Sequence, residues 1–225
     1  AVLSADARAA VAELSRIGAV APEPLRLVVS LRERRLWLVA GDTVRFEAPV
    51  AVGRNTPRAL AHPDRPRPTF ATPSGRFVVE RRDSMPQWVP PDWHYAEQAR
   101  KRGRRLVRLG GGGYTTSDGR TVRVVGGHVV AQSPDGTVER LSARSGREIV
   151  VDGAILVPPL GTSARRYPGV LGPRRLALGG ELGIHGTSEP GSIGKAVTHG
   201  CIRLDNATIS ALYPLVPVGT PVYLY

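Results

Sequence analysis

The stretch that most limits the fold is Leu25 to Gly53, LRLVVSLRERRLWLVAGDTVRFEAPVAVG. It holds two strand patterns across the Ala40-Gly41-Asp42 turn and a third ending at Gly53. Short runs of Val, Leu and Trp bounded by turn residues suit a pleated, half-buried surface. The punctuation continues along the chain, where 26 glycines and 20 prolines among 225 residues favour sheets rich in turns. Thr72-Pro73-Ser74-Gly75 reads as a turn launching a strand at Arg76 to Val79. Val222 to Tyr225 reads as a closing strand after Gly219-Thr220-Pro221. A mainly β fold with few short helices is expected.

Chemistry concentrates in Ile184 to Asn206, IHGTSEPGSIGKAVTHGCIRLDN. This segment carries the single cysteine, Cys201, and two of the five histidines, His185 and His199, with Arg203 two places beyond the thiol. If Val197 to Leu204 runs extended, His199, Cys201 and Arg203 share one face, and Thr198, Ile202 and Leu204 the other. His185 is joined to that face by a loop containing Pro190, Gly191 and Gly194, which can fold it back onto the thiol. A thiolate attacks where a thiol barely does; an imidazole can take the proton, and nearby positive charge lowers the cysteine pKa. No acidic residue stands next to His185, so a backbone carbonyl, first of all that of Gly186, is the expected orienter. Gly200 lets the backbone approach closely and aim amides at an oxyanion.

At these residues, His185-Gly186-Thr187, Ser192 to Val197 and Thr198-His199-Gly200-Cys201-Ile202-Arg203, the sequence resembles the L,D-transpeptidases, the YkuD-type catalytic domain. The opening hairpin and the Thr72 turn resemble the start of that domain. The resemblance implies a β-sandwich or barrel, with Cys201 as nucleophile, His185 as base, the Gly186 carbonyl as its orienter and amides around Gly200 and Cys201 as oxyanion hole. His199 and Arg203 would shape the site and hold substrate, with Thr187, Thr198 and Gly200 expected alongside substrate. The substrate class implied is peptidoglycan stem peptides. Attack on a tetrapeptide would release D-alanine, and an amine acceptor would complete a 3-3 type cross-link with no cofactor. Water as acceptor would make an L,D-carboxypeptidase, and a protein lysine an envelope-protein ligase. Carbapenem β-lactams would acylate Cys201.

Two readings from other classes stand beside this one. Two histidines and a cysteine match a zinc ligand set by type, but no Cys-x-x-Cys or His-x-x-x-His pairing occurs and Arg203 would repel a cation. A catalytically silent envelope-binding module would have no need of both His185 and Cys201.

The formal charge of +12 invites a polyanion. No zinc finger or aromatic-interleaved RNA-binding signature accompanies it, so attraction to an anionic cell envelope is expected rather than nucleic-acid binding. No apolar run approaches the roughly 20 residues of a membrane span. The chain starts at Ala1 without a charged-then-apolar leader, so a mature or trimmed form is expected, and the absence of a signal peptide says nothing about export. A periplasmic or secreted, wall-associated location follows from the resemblance.

Residues 1–24 are expected as a helix (2–18) and linker, ahead of a catalytic domain over 25–225. An insert over 81–154 departs from the family pattern. It opens on a turn-rich segment with Trp88 and Trp93, continues in a basic helix from Tyr95 to Arg105, and becomes a β-meander: Thr121 to Val125, His128 to Gln132, Val138 to Leu141 and Glu148 to Val151. It would serve as a cap that sets substrate choice, or as a lateral ornament. His62, His94 and His128 are expected to be structural or exposed.

Overall fold

A computed structural model describes residues 25–55, 70–143 and 148–225. The expected helix over 2–18 and the loop histidine His62 lie outside these residues. The chain divides into two compact units. One holds the described residues up to Pro86 together with Leu171–Tyr225, and the other is Gln87–Val170.

The first unit is built on two open sheets. In the larger the strand order is Thr43–Pro49, Arg35–Ala40, Leu25–Ser30, Pro221–Leu224, Gly75–Val78. The expected Ala40-Gly41-Asp42 turn joins two of its strands, with Gly41 at φ 57°, a conformation glycine adopts without steric cost. A second turn, in which Arg34 takes φ 55°, splits the Leu25–Ala40 run into a hairpin of its own. The closing strand enters parallel to Leu25–Ser30, so the two ends of the unit meet in mid-sheet.

The smaller sheet, called the site sheet below, has the order Ile202–Arg203, Gly183–His185, Arg174–Ala177, Arg81–Ser84. Leu27, Leu36 and Leu38 of the larger sheet, Leu176, Ile184 and Ile202 of the site sheet, and Ile209 and Leu212 of the helix Asn206–Leu212 bury one core. Each such side chain contributes about 1.5–3 kcal/mol. Sheet facing sheet across a shared core is the expected sandwich; among the described residues no sheet closes into a barrel.

The second unit carries the meander as read from sequence: Thr121–Val125, His128–Gln132 and Val138–Leu141 pair antiparallel, with Tyr114–Thr115 on the far edge. Gly126 and Gly127 both take positive φ, 54° and 76°, as a two-residue hairpin turn demands. The helix differs from expectation. It runs Asp92–Lys101, so Trp93 and His94 belong to it rather than to a loop. Pro91 stands at the N-cap in extended conformation without a side-chain cap bond, and Asp92 places negative charge in the first turn, which is favourable at a helix start. The last expected strand is reduced to Val150–Val151 and pairs with Ala154–Val157 instead of joining the meander, while Glu148 reaches His94.

Candidate active site

Pairing across the site sheet assembles a row of polar side chains. Arg203 is opposite His185, His185 opposite Arg175, and Arg175 opposite Asp83. One residue along, Ile202, Ile184 and Leu176 form the core-facing row, each fully buried. Because faces alternate, the polar row is on the opposite side of the sheet. Cys201 immediately precedes Ile202, which is opposite Ile184, so the same register sets the cysteine opposite Gly183 and on the face of His185 and Arg203.

The expected extended run Val197 to Leu204 is interrupted. Ala196–Thr198 pairs with Val52–Gly53, whereas Ile202–Arg203 pairs with Gly183–His185. Between them Gly200 takes φ 119°, outside the range of an ordinary residue. Thr198 holds the break: its Oγ1 donates to the Cys201 carbonyl at 2.6 Å and accepts the Gly200 amide at 3.2 Å. From outside, Thr72 Oγ1 donates to the Gly200 carbonyl at 2.8 Å and accepts the Gly53 amide at 2.8 Å. Burial still alternates as expected, with Thr198, Ile202 and Leu204 buried and His199, Cys201 and Arg203 partly exposed.

His185 is 4% exposed and its Nδ1 lies 2.6 Å from the Gly186 carbonyl. A carbonyl only accepts, so Nδ1 carries the proton and Nε2 keeps its lone pair. Burial pushes the imidazole pKa down to about 3; the Gly186 carbonyl pulls it up, and Arg203 and Arg175 push it further down. The ring is therefore neutral. Gly186 has no room for a side chain: a Cβ there would stand 2.4 Å from Asn206 Oδ1 and 3.0 Å from Gly172 Cα. Asn206 Oδ1 also accepts the Thr187 amide at 2.8 Å, tying the loop after His185 to the following helix.

The Cys201 thiol donates to the Glu181 carbonyl at 3.2 Å. Nearby positive charge was expected to lower its pKa, but the net direction is upward. Burial raises it, outweighing Arg175, the Gly183 amide and Arg203, which lower it. The resting site is thus a neutral thiol beside a neutral imidazole, not an ion pair.

The other expected residues are placed as follows. His199 stacks edge-on to Phe70 at 4.5 Å, and its Nε2 accepts from Arg54 Nη2 at 2.9 Å. Arg203 Nη1 binds Glu189 Oε2 at 2.6 Å. Thr187 is 3% exposed and its Oγ1 accepts the Glu189 amide. Among the described residues no three His, Cys, Asp or Glu side chains are grouped to hold a metal ion. Sequence reasoning missed Arg175, which acts on both His185 and Cys201, and Arg54 and Thr72, which hold the His199–Gly200 turn. Only strand register could have revealed the first, and the other two lie 145 and 128 residues from their partners.

Comparisons with known proteins accord with this geometry. Over 40 residues the chain is 58% identical to the putative L,D-transpeptidase YkuD of Bacillus subtilis (strain 168), covering 18% of this chain and 24% of that protein. Over 95 residues it is 36% identical to the probable L,D-transpeptidase ErfK/SrfK of Salmonella typhimurium, covering 42% and 30%. These matches span less than a third of either relative. Among solved structures, an Enterococcus faecium L,D-transpeptidase superposes with TM-score 0.46 at 14% identity, over 90% of this chain and 50% of that one. L,D-transpeptidase 3 from Mycobacterium tuberculosis, in complex with a faropenem-derived adduct, superposes with TM-score 0.43 at 14% identity, over 89% and 60%. The YkuD family model, described as the L,D-transpeptidase catalytic domain, matches residues 24–224, and the chain belongs to that family.

Proposed function

We propose that the chain is a peptidoglycan L,D-transpeptidase acting through a Cys201 thioester. The observation that carries this reading is the neutral His185, its Nδ1 committed to the Gly186 carbonyl and its Nε2 lone pair available, on the same sheet face as the thiol. Sγ attacks the carbonyl of the residue preceding the terminal D-alanine as its proton passes to His185 Nε2. The C–N bond then breaks, the proton goes to the departing amine, and the acyl group stays on sulfur. An amine of a second stem attacks the thioester, gives up its proton to His185 and restores the thiol. The amide's energy is retained in the thioester, so the cycle calls for no cofactor. In the resting conformation the Gly200 amide is engaged by Thr198, which assigns the leading oxyanion contact to the Cys201 amide.

The neutral resting pair fits this cycle. Between Arg175 and Arg203 an imidazolium is costly unless an anion forms beside it, so the proton moves to His185 only as sulfur or the oxyanion takes up negative charge. The same thiol is the expected point of acylation by carbapenems. On this reading residues 25–225 form one catalytic domain interrupted by the meander-bearing insert, and the protein works at the cell envelope. Among the described residues no helix is long and apolar enough to cross a membrane.

The test is incubation of wild type and Cys201→Ala with tetrapeptide-bearing muropeptides, followed by mass spectrometry. Wild type should release D-alanine and form dimers, and Cys201→Ala should lose at least ~10³-fold in rate. Undiminished turnover by Cys201→Ala overturns the assignment. Trimmed tripeptides without dimers would identify a carboxypeptidase.

A further inference from the structure

Arg203, the arginine that the motif singles out, is committed to Glu189 at 2.6 Å. Arg175 is not committed in this way. Its side chain is 16% exposed, and its closest acidic partner is Asp83, at 3.6 Å from Nη1, beyond hydrogen-bond range. That carboxylate is already gripped by Arg81, through Nε at 2.7 Å and Nη2 at 3.2 Å. Arg175 also leans in a specific direction. A Cβ on Gly183 would stand 2.9 Å from Arg175 Nε and 3.6 Å from its Cγ, so the side chain crosses the bare backbone of Gly183. Gly183 is the residue opposite Cys201. The absence of a side chain there leaves room for Arg175 over the Gly183 backbone, and from its own strand its charge acts on the Cys201 thiol.

We propose that Arg175 binds the free carboxylate of the leaving residue of the acyl donor. The inference rests on the transpeptidase reading and adds to it the residue that recognises the donor's unblocked terminal carboxylate. That carboxylate is two bonds from the scissile nitrogen, so a donor poised for attack by Sγ carries it within a few ångströms of the sulfur. A planar, permanently charged fork suits a carboxylate and costs little to hold in place when its stem is already packed. Arg175 also disfavours a proton on His185, so an anion bound to it would ease transfer of the thiol proton to the imidazole.

The experiment compares a tetrapeptide donor ending in a free carboxylate with the same donor ending in a carboxamide, using wild type, Arg175→Gln and Arg175→Lys. Wild type should prefer the free acid about 10- to 100-fold in kcat/KM, chiefly through KM, as expected for a charge-assisted contact. Arg175→Gln should lose that preference, its fall on the free acid exceeding any fall on the amide, and Arg175→Lys should recover part of it. Iodoacetamide labelling of Cys201, which needs no carboxylate, should stay within a few-fold. Equal use of both donors by wild type overturns the proposal whatever the variants do. Preserved preference in Arg175→Gln overturns it as well. An equal fall with both donors together with slowed alkylation also overturns it, since the arginine would then serve the thiolate. If wild type releases nothing from either donor, the transpeptidase reading fails instead.

Discussion

Among the described residues two histidines are buried, one in each unit, and they are held in opposite ways. His185 gives its Nδ1 proton to a backbone carbonyl, has Arg175 and Arg203 as charged neighbours, and is on a sheet face with a thiol. His94 has Nε2 at 2.8 Å from Glu148 Oε1 and is ringed by Trp88 at 4.7 Å, Tyr95 at 5.3 Å and Tyr167 at 6.1 Å. Arg102 adds an ion pair to Glu148 from the far side at 2.8 Å. Burial raises the Glu148 carboxyl, yet the bond from His94 and the charge of Arg102 bring it below its ordinary range. A carboxylate partner in a ring of aromatic side chains holds the imidazole immobile. A carbonyl partner among cations keeps the imidazole neutral, with the Nε2 lone pair open to a proton. The first arrangement suits structure and the second suits chemistry.

The largest expected separation comes from breaking the structural histidine's pair. Glu148→Ala should cost up to about 3 kcal/mol, since the buried His94 ring nitrogen loses its hydrogen-bond partner. Urea unfolding followed by hydrogen exchange should localise the loss to Gln87–Val170, and acylation of Cys201 in the folded variant should be unchanged. A fall in acylation with stability intact would erase the contrast.

Acid sharpens the comparison from the other side. The unfolded chain protonates His185 near pH 6.5, while the folded protein resists until about pH 3, so the unfolded state binds more protons between these values. Stability is therefore lost as pH falls through that window, by up to about 1.4 kcal/mol per unit for this one group. His185→Gln should flatten that part of the profile, whereas an unchanged acid slope would contradict a neutral, desolvated ring.

A smaller effect is expected at the turn that carries the thiol. Thr198→Val leaves the buried Gly200 amide and the Cys201 carbonyl without their partner, costing about 1–3 kcal/mol. Thr198→Ser should restore most of it in thermal melts, and equal melting of all three proteins would show that the hydroxyl does not hold the break.

The contrast between the units also explains what could be read in advance. The meander was legible because Gly126-Gly127 and the alternating Val side chains are local signals with local consequences. His185, Gly186 and Cys201 were legible because a loop of fixed length joins them. Arg175 was not, since it reaches the site through strand register alone. The direction of the thiol's shift was hidden for a similar reason: charge can be read from sequence, but desolvation exists only after the sheets have packed. The helix start was misplaced because Trp93 and His94 follow prolines that read as loop yet begin a helix.

The central claim is that His185, not His199, takes the proton from Cys201. Single-turnover acylation by a carbapenem, followed by intact-protein mass, compares His185→Ala with His199→Ala directly. His185→Ala should be slowed on the order of 10²- to 10⁴-fold, and His199→Ala, which loses contacts to Arg54 and Phe70, by about tenfold or less. The reverse ranking would transfer the base to His199 and contradict the account.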